Sequence, residues 1–214
     1  MNLDDYYWFF ESTLSDNEVE QILDYGKSKQ LNTAIVGEPF ADKKVYTQEE
    51  IKNIQKKRKS EITFLNDPWI YNLVNPYVQK ANINSGWKFQ WDWSEDIQFT
   101  RYAEGEYYGW HCDSWTKPLK SENKNIDGKI RKLSMIISLN DSTEYEGGDL
   151  EFDFRNYDDC DDEEDRKSRI VKCQALKKKG TVVVFPSFVW HRVTPVTKGT
   201  RYSLVSWHLG WPYV

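Results

Sequence analysis

The sequence predicts a mainly β protein with N-terminal helices (α+β), an antiparallel jelly roll behind a helical layer. Three observations predict it. From residue 87 onward, apolar and polar residues alternate in short runs, the period of half-buried strands. Glycine-containing turns separate several of those runs. Upstream, apolar residues recur instead at helical spacing. No repeat or linker interrupts the 214 residues, so they read as a single domain. Residues 1–86 form its support layer, with a possible lid loop, and 87–214 its jelly-roll core.

Taken in order, Tyr6, Tyr7, Trp8, Phe9 and Phe10 form an aromatic cluster, read as a strand or helix start packed on the core. Ser15 with Glu18 is a capping box that opens a helix through Val19, Ile22 and Leu23, ending near Gly26. Gly37-Glu38-Pro39-Phe40 marks a turn. Gln48–Lys59 is polar and reads as a surface helix or mobile loop, with a lid over a site as its functional alternative. Its basic run Lys56-Lys57-Arg58-Lys59 reads as solvated. Arg58–Leu65 alternates as a strand ending at Asn66-Asp67-Pro68. Trp69, Ile70, Leu73, Val74, Tyr77, Val78 and Ala81 make an amphipathic helix in which Pro76 predicts a kink or break. Strands follow over Trp87–Trp93, Asp96–Tyr102, Lys132–Leu139, Asp149–Phe154, Val171–Leu176, Thr181–Phe185, Trp190–Pro195 and Arg201–Leu209. Asn156–Asp165 packs seven acids into ten residues and reads as an exposed loop; the ordered glycine and glutamate of a calcium loop are missing.

Composition narrows the partners. A formal net charge of −5 argues against nucleic acid, whose binding rests on dense Lys/Arg contacts to phosphate. Three cysteines without spaced pairs, Cys112, Cys160 and Cys173, read as free thiols in a reducing compartment. The N-terminus carries acids where a signal peptide needs bases, and no apolar run approaches a membrane span. The expectation is a soluble, cytoplasmic protein without a membrane or nucleic-acid partner.

The chemistry centres on His111 and Asp113. Two residues apart on an extended strand, their side chains leave one face. An imidazole and a carboxylate are two corners of a facial triad, which iron(II) accepts while keeping positions open. The third corner falls to His191 or His208. His208 has no carboxylate at metal spacing. His191 opens a strand after Pro186-Ser187-Phe188-Val189-Trp190, and Arg201 lies ten residues beyond it. Alternation puts Arg201, Ser203, Val205 and Trp207 on one face. Turned inward, that face buries a guanidinium that calls for an anion, and its planar fork suits a dicarboxylate. A surface or internally paired Arg201 is the alternative.

Tyr102-x-x-Gly105-x-x-Tyr108-x-x-His111-x-Asp113, Glu146-Gly147-Gly148-Asp149-Leu150, and Phe185-Pro186-Ser187 followed by His191 and Arg201, stand in one order. Together they resemble the iron(II)- and 2-oxoglutarate-dependent oxygenases of the prolyl 4-hydroxylase type, over about Trp87–Trp207. Weaker similarity extends to Arg58–Leu65. The resemblance implies a double-stranded β-helix core, with His111, Asp113 and His191 as iron ligands and catalytic residues. It implies Arg201 and Tyr102 on the distal carboxylate of 2-oxoglutarate. Leu150 stands where some relatives place a threonine on the cosubstrate, and Ser134, Ser138 or Ser203 are replacement donors. The implied reaction couples decarboxylation of 2-oxoglutarate to hydroxylation of a C–H bond, with ascorbate as supporting reductant.

Glu95, Tyr108, Arg131 and Trp207 match positions that line the peptide groove in prolyl 4-hydroxylases. The resemblance implies a proline ring between Tyr108 and Trp207, with Arg131 on peptide carbonyls. For Trp207 the alternative is plain core, and for Arg131 a surface charge. The function expected is prolyl 4-hydroxylation of a peptide or protein. Alternatives are hydroxylation of a free amino acid or small metabolite, a nucleobase oxygenase, and a non-catalytic binding module. Trp207 stands where the alkylation-repair family often has a second arginine, which disfavours nucleobases. The intact His111, Asp113, His191 and Arg201 disfavour a mere binding module.

Overall fold

The computed structural model describes residues 5–34, 47–114, 117–154 and 169–213. The Gly37–Phe40 turn, Cys160 and the acidic run Asn156–Asp165 lie outside them. The N-terminal part supplies β1 (Trp8–Phe10), α1 (Asp16–Lys27), β2 (Asn32–Thr33), α2 (Gln48–Gln55), β3 (Arg58–Lys59), β4 (Glu61–Leu65) and α3 (Pro68–Asn84). Then come β5 (Trp93–Ser94), β6 (Ile97–Tyr102), β7 (Tyr107–His111), β8 (Ile130–Ser138), β9 (Tyr145–Gly147) and β10 (Leu150–Asp153). The last are β11 (Ile170–Lys172), β12 (Val182–Pro186), β13 (Trp190–Val193), β14 (Val196–Gly199) and β15 (Arg201–Gly210). The major sheet runs β1-β12-β8-β15-β6-β4-β2 with β5 on β15, the minor sheet β11-β10-β13-β7-β3, and β9 pairs β14.

Period two sorts the core. Ile97 and Phe99 of β6, Met135 and Ile137 of β8, Val182 and Val184 of β12 and Leu204 of β15 pack with Val19 and Ile22 of α1 and Ile70, Val74 and Val78 of α3. The intervening residues Ile136, Val183 and Phe185 meet Leu150 and Phe152 of the minor sheet. The jelly roll thus has a dry helix-facing side and an interior between the sheets. The Ser15–Glu18 capping box forms as expected, and α1 ends at Lys27, as expected next to Gly26. A Cβ there would lie 2.3 Å from the Phe99 ring, so Gly26 lets α1 approach the sheet.

Several expectations are corrected. Arg58–Leu65 is two strands, not one: β3 pairs β7 in the minor sheet, β4 pairs β6 in the major sheet, and the chain crosses at Ser60. Lys56, Lys57 and Lys59 are exposed, but Arg58 is buried, so the basic run is not uniformly solvated. α3 continues through Pro76 without a break. Of Trp87–Trp93 only the last residue is strand, because the Asn82 side chain takes the place of a neighbouring strand: it donates to Phe89 O (2.8 Å) and accepts from Phe89 N (2.9 Å). Val171–Leu176 gives way after Lys172 to a 3₁₀ turn, Gln174–Lys177. β9 and β14 were hidden in stretches rich in turn glycines.

Two irregularities shape the interior. Opposite β15, His208 pairs Leu133 but Leu209 pairs Arg131, so Lys132 is an extra residue. That bulge reverses the alternation and puts Arg131 on the side of Ser134 and Trp207. In the minor sheet, His191 pairs His111 while Val193 pairs Tyr108, a second bulge beside the two histidines.

His208 is fully buried, with Nδ1 2.9 Å from Ser94 Oγ and Nε2 3.3 Å from Ser206 Oγ. Burial lowers its pKa from 6.5 to about 3. The unfolded chain therefore takes up this proton first, and stability present above pH 6.5 is lost as pH falls. Between pH 7 and pH 5 this one group should account for about 2 kcal/mol of lost stability. Equilibrium urea unfolding at the two pH values should show a loss smaller by that amount in His208→Gln.

Candidate metal centre

His111 closes β7 and His191 lies directly opposite on β13, ring centroids 4.1 Å apart. Each ring is aimed by its own backbone. His111 Nδ1 is 2.8 Å from Gly109 O, and His191 Nδ1 is 3.0 Å from Val189 O. A carbonyl accepts only from N–H, so Nδ1 carries the proton and the Nε2 lone pair of each ring is free.

Asp113 joins them by a route other than strand alternation. β7 ends at His111, and Asp113 sits in the bend that follows. The backbone N–H groups of Asp113 and Ser114 both donate to Ser187 O, each at 2.8 Å, which turns the chain back over the site. Ser134 Oγ, 2.9 Å from Ser187 Oγ, donates to Asp113 Oδ2 at 2.7 Å. His111 Nε2 is then 3.7 Å from Asp113 Oδ1, and His191 Nε2 3.6 Å from Oδ2. One donor atom from each of the three lies within 4.8 Å of the others, the one such cluster of His, Cys, Asp or Glu among the described residues.

The electrostatics suit a cation. Burial, followed by the charge of His191, lowers the His111 pKa to about 3, so the ring is neutral at pH 7. For Asp113, burial pushes the pKa up, but His191, His111, Arg131 and the Ser134 hydrogen bond outweigh it and hold the carboxyl ionised. A neutral His111 imidazole, the His191 imidazole and a buried carboxylate are a donor set that suits a divalent metal. His208, with both ring nitrogens matched to serines, is structural.

Arg201 lies on the interior face, 1% exposed and paired across the ladder with Tyr102. Its Nη1 donates to Ser203 Oγ at 3.2 Å; its Nη2 is buried with no hydrogen-bond partner. The Tyr102 ring centre is 5.5 Å from the guanidinium carbon. A Cβ on Gly148 would lie 2.9 Å from Arg201 Cδ, so the guanidinium fits only beside a glycine. Leu150 is buried on β10 and offers only an apolar wall. Among the replacement donors, Ser134 serves Asp113, Ser138 donates to Asn140 O (3.0 Å), and Ser203 touches Arg201.

The other predicted residues fall into two groups. Glu95 accepts from Arg131 Nε at 2.7 Å in a two-point ion pair, and the Arg131 guanidinium lies 3.9 Å from the Trp207 ring centre. Trp207 is neither plain core nor open wall: it is 7% exposed, and its Nε1 is buried without a partner. Tyr108 stacks on His111 at 3.5 Å with the rings 14° apart. Sequence reasoning missed Ser187 and Arg58, which lies 4.6 Å from the Tyr108 ring. The only signal for Arg58 was that strand alternation begins at it.

Cobalt(II) titration should separate the histidines. His191→Ala and Asp113→Ala are expected to weaken binding by at least about 100-fold, Ser134→Ala by about 10-fold, and His208→Gln by less than about 2-fold. Binding lost on changing His208 and retained on changing His191 would reverse the assignment.

Comparisons with known proteins agree with this arrangement. Residues 97–209 match the family model of the 2OG-Fe(II) oxygenase superfamily. Similar curated proteins include a PKHD-type hydroxylase of Idiomarina loihiensis, 29% identical over 52% of this chain and 40% of that protein. Another, from Picosynechococcus, is 33% identical over 54% of this chain and 42% of its own. The chain thus spans about two fifths of the length of the curated relatives it matches. Among solved structures, the viral collagen prolyl hydroxylase of Paramecium Bursaria Chlorella virus-1 superimposes with a TM-score of 0.62 at 17% identity, over 97% of both chains. A Trichoplax adhaerens prolyl hydroxylase, in complex with a hypoxia inducible factor peptide fragment, gives 0.65 at 17% identity, over 96% of this chain and 84% of that one. At such identities these show the shared double-stranded β-helix fold.

Proposed function

The chain belongs to the 2OG-Fe(II) oxygenase superfamily, and on that premise we propose that it hydroxylates a proline residue of a peptide or protein. The observation that carries the reading is the presence of a carboxylate among imidazoles and an incompletely paired guanidinium in one interior. The Asp113 carboxylate lies between the His111 and His191 imidazoles, and Arg201 Nη2 has no acceptor among the described residues. A metal cation answers the first and a carboxylate the second.

His111 Nε2, His191 Nε2 and an Asp113 oxygen would hold iron(II). Arg201 would take the distal carboxylate of 2-oxoglutarate through Nη2, with Ser203 fixing its other nitrogen and Tyr102 alongside. Bound there, iron(II) would supply activation of dioxygen, one oxygen atom going to the C–H bond as hydroxyl and the other to the succinate formed, with carbon dioxide, from 2-oxoglutarate. The protein's own tasks are orientation and exclusion of water. Gly109 O and Val189 O aim the imidazoles, Ser134 and Ser187 aim the carboxylate, and Phe152 and Phe185 close the wall. Phe185 packs edge-on against His191 at 4.7 Å.

For the substrate, Tyr108 offers an aromatic wall to a pyrrolidine ring; the Trp207 face is covered by the Arg131 guanidinium, so Trp207 contributes its Nε1, which with Arg131 offers donors to peptide carbonyls. Glu95 keeps Arg131 in place. The peptide-bound Trichoplax hydroxylase and the PKHD-type relatives support this choice over a free metabolite. Ascorbate is proposed as supporting reductant. No described helix is long and apolar enough to cross a membrane, and a cytoplasmic setting is proposed with this reading.

The test is succinate release from iron(II), ascorbate and 2-oxoglutarate with and without proline-rich peptides, with mass spectrometry for one added oxygen. Peptide-stimulated succinate matched by hydroxyproline is expected. Stimulation by free amino acids alone would move the substrate to small metabolites, and no turnover by wild type under any condition would remove the oxygenase reading. Arg201→Ala should raise the 2-oxoglutarate KM by about 100-fold with Arg201→Lys in between, since a carboxylate loses a charged donor pair.

A further inference from the structure

Arg58 is 5% exposed, and among the described residues no carboxylate meets it. Its contacts are Ser60 Oγ, 2.9 Å from Nε, and the Tyr108 ring, 4.6 Å from the guanidinium carbon. Tyr108 in turn lies 3.5 Å from the His111 ring, nearly parallel to it. A planar guanidinium is thus joined through one aromatic ring to a metal-binding imidazole. The backbone holds the set in register. Arg58 pairs Tyr108 in the β3–β7 ladder, Gly109 N donates to Lys57 O at 2.8 Å, and the Tyr107 hydroxyl donates to Gln55 O (3.0 Å) and Lys56 O (3.1 Å). Ser60 is itself buried where the chain leaves the minor sheet for the major one. A swing of the Arg58 side chain would break its bond to Ser60 Oγ.

We propose that Arg58 is a positioning residue: its guanidinium pins the Tyr108 ring against His111 and so sets the substrate-facing wall and the orientation of that imidazole. The attraction is physical. An aromatic face draws a poorly hydrated cation, and more strongly where both are removed from water. Lysine would keep the charge but lose the flat stack and the Nε bond to Ser60. Glutamine would keep a planar end and lose the charge. The substrate half of the inference rests on the oxygenase reading above; the orientation half does not.

The experiment uses the full chain with Arg58→Ala, Arg58→Lys and Arg58→Gln, each first checked for cooperative thermal unfolding. One arm needs no turnover: the ligand-field absorption of bound cobalt(II), which reports the geometry of its imidazole ligands. The expected result is a changed band shape in Arg58→Ala and Arg58→Gln and a smaller change in Arg58→Lys. The second arm is steady-state kinetics. Peptide KM should rise by about 10-fold in Arg58→Ala while the 2-oxoglutarate KM stays within about 2-fold, with Arg58→Lys recovering part of the loss. Should Arg58→Ala fail to fold, the other two variants carry both arms. Any folded charge-free variant with the wild-type cobalt spectrum and peptide KM would overturn the proposal. So would an equal rise in both KM values, which marks general loosening. A wild type that binds cobalt(II) but releases no succinate would sink the oxygenase reading alone and leave the spectral arm to decide this one.

Discussion

The Asp113 carboxylate is the group on which the rest of the structure depends. It is buried, ionised, and flanked by two imidazoles whose protons point away from it. A charge removed from water at such a site is tolerated only with a partner. Everything nearby supports that arrangement: Ser187 O reverses the chain so that the carboxylate faces the imidazoles, Ser134 holds one oxygen, and the β7–β13 register sets the rings opposite each other. The three groups come from a strand end, a bend and a second strand, so the site exists only once the minor sheet has paired.

Arg201 repeats the logic with the opposite sign. Its position is dictated by the β15–β6 ladder, which sets it against Tyr102, and by the missing side chain at Gly148. Ser203 satisfies one terminal nitrogen, and no described residue satisfies the other. The protein thus keeps a carboxylate among imidazoles and an incompletely paired guanidinium in one buried interior. The Glu95–Arg131–Trp207 set is different in kind, because its charges already cancel.

Much of this was legible in the sequence because period two is a local rule. Alternation predicted that Arg201, Ser203, Val205 and Trp207 share a face, and the ladders agree. Capping chemistry predicted the start of α1 at Ser15. What escaped were features set by contacts distant in sequence. Asp113 is aimed by Ser187, 74 residues later. Arg58 is buried because its strand pairs with Tyr108, although its three lysine neighbours point to solvent. Residues 87–92 look like a strand by composition, but the Asn82 side chain takes both backbone hydrogen bonds of Phe89 in their midst. Gly26 marked the helix end correctly, one residue before Lys27, but its closeness to Phe99 was not legible from the sequence.

The extra residue at Lys132 divides β8 into two parts that can change independently. On one side lies Ser134, which holds Asp113; on the other lies Arg131, which shares a side with Trp207 only because the alternation is reversed. If the bulge were smoothed so that Lys132 paired with Leu209, Lys132 would take the Trp207 side and Arg131 the other, while Ser134 stayed in register with Trp207 and Phe185. A one-residue shift of register at this joint exchanges which side chain faces Trp207 without moving the serine that holds Asp113.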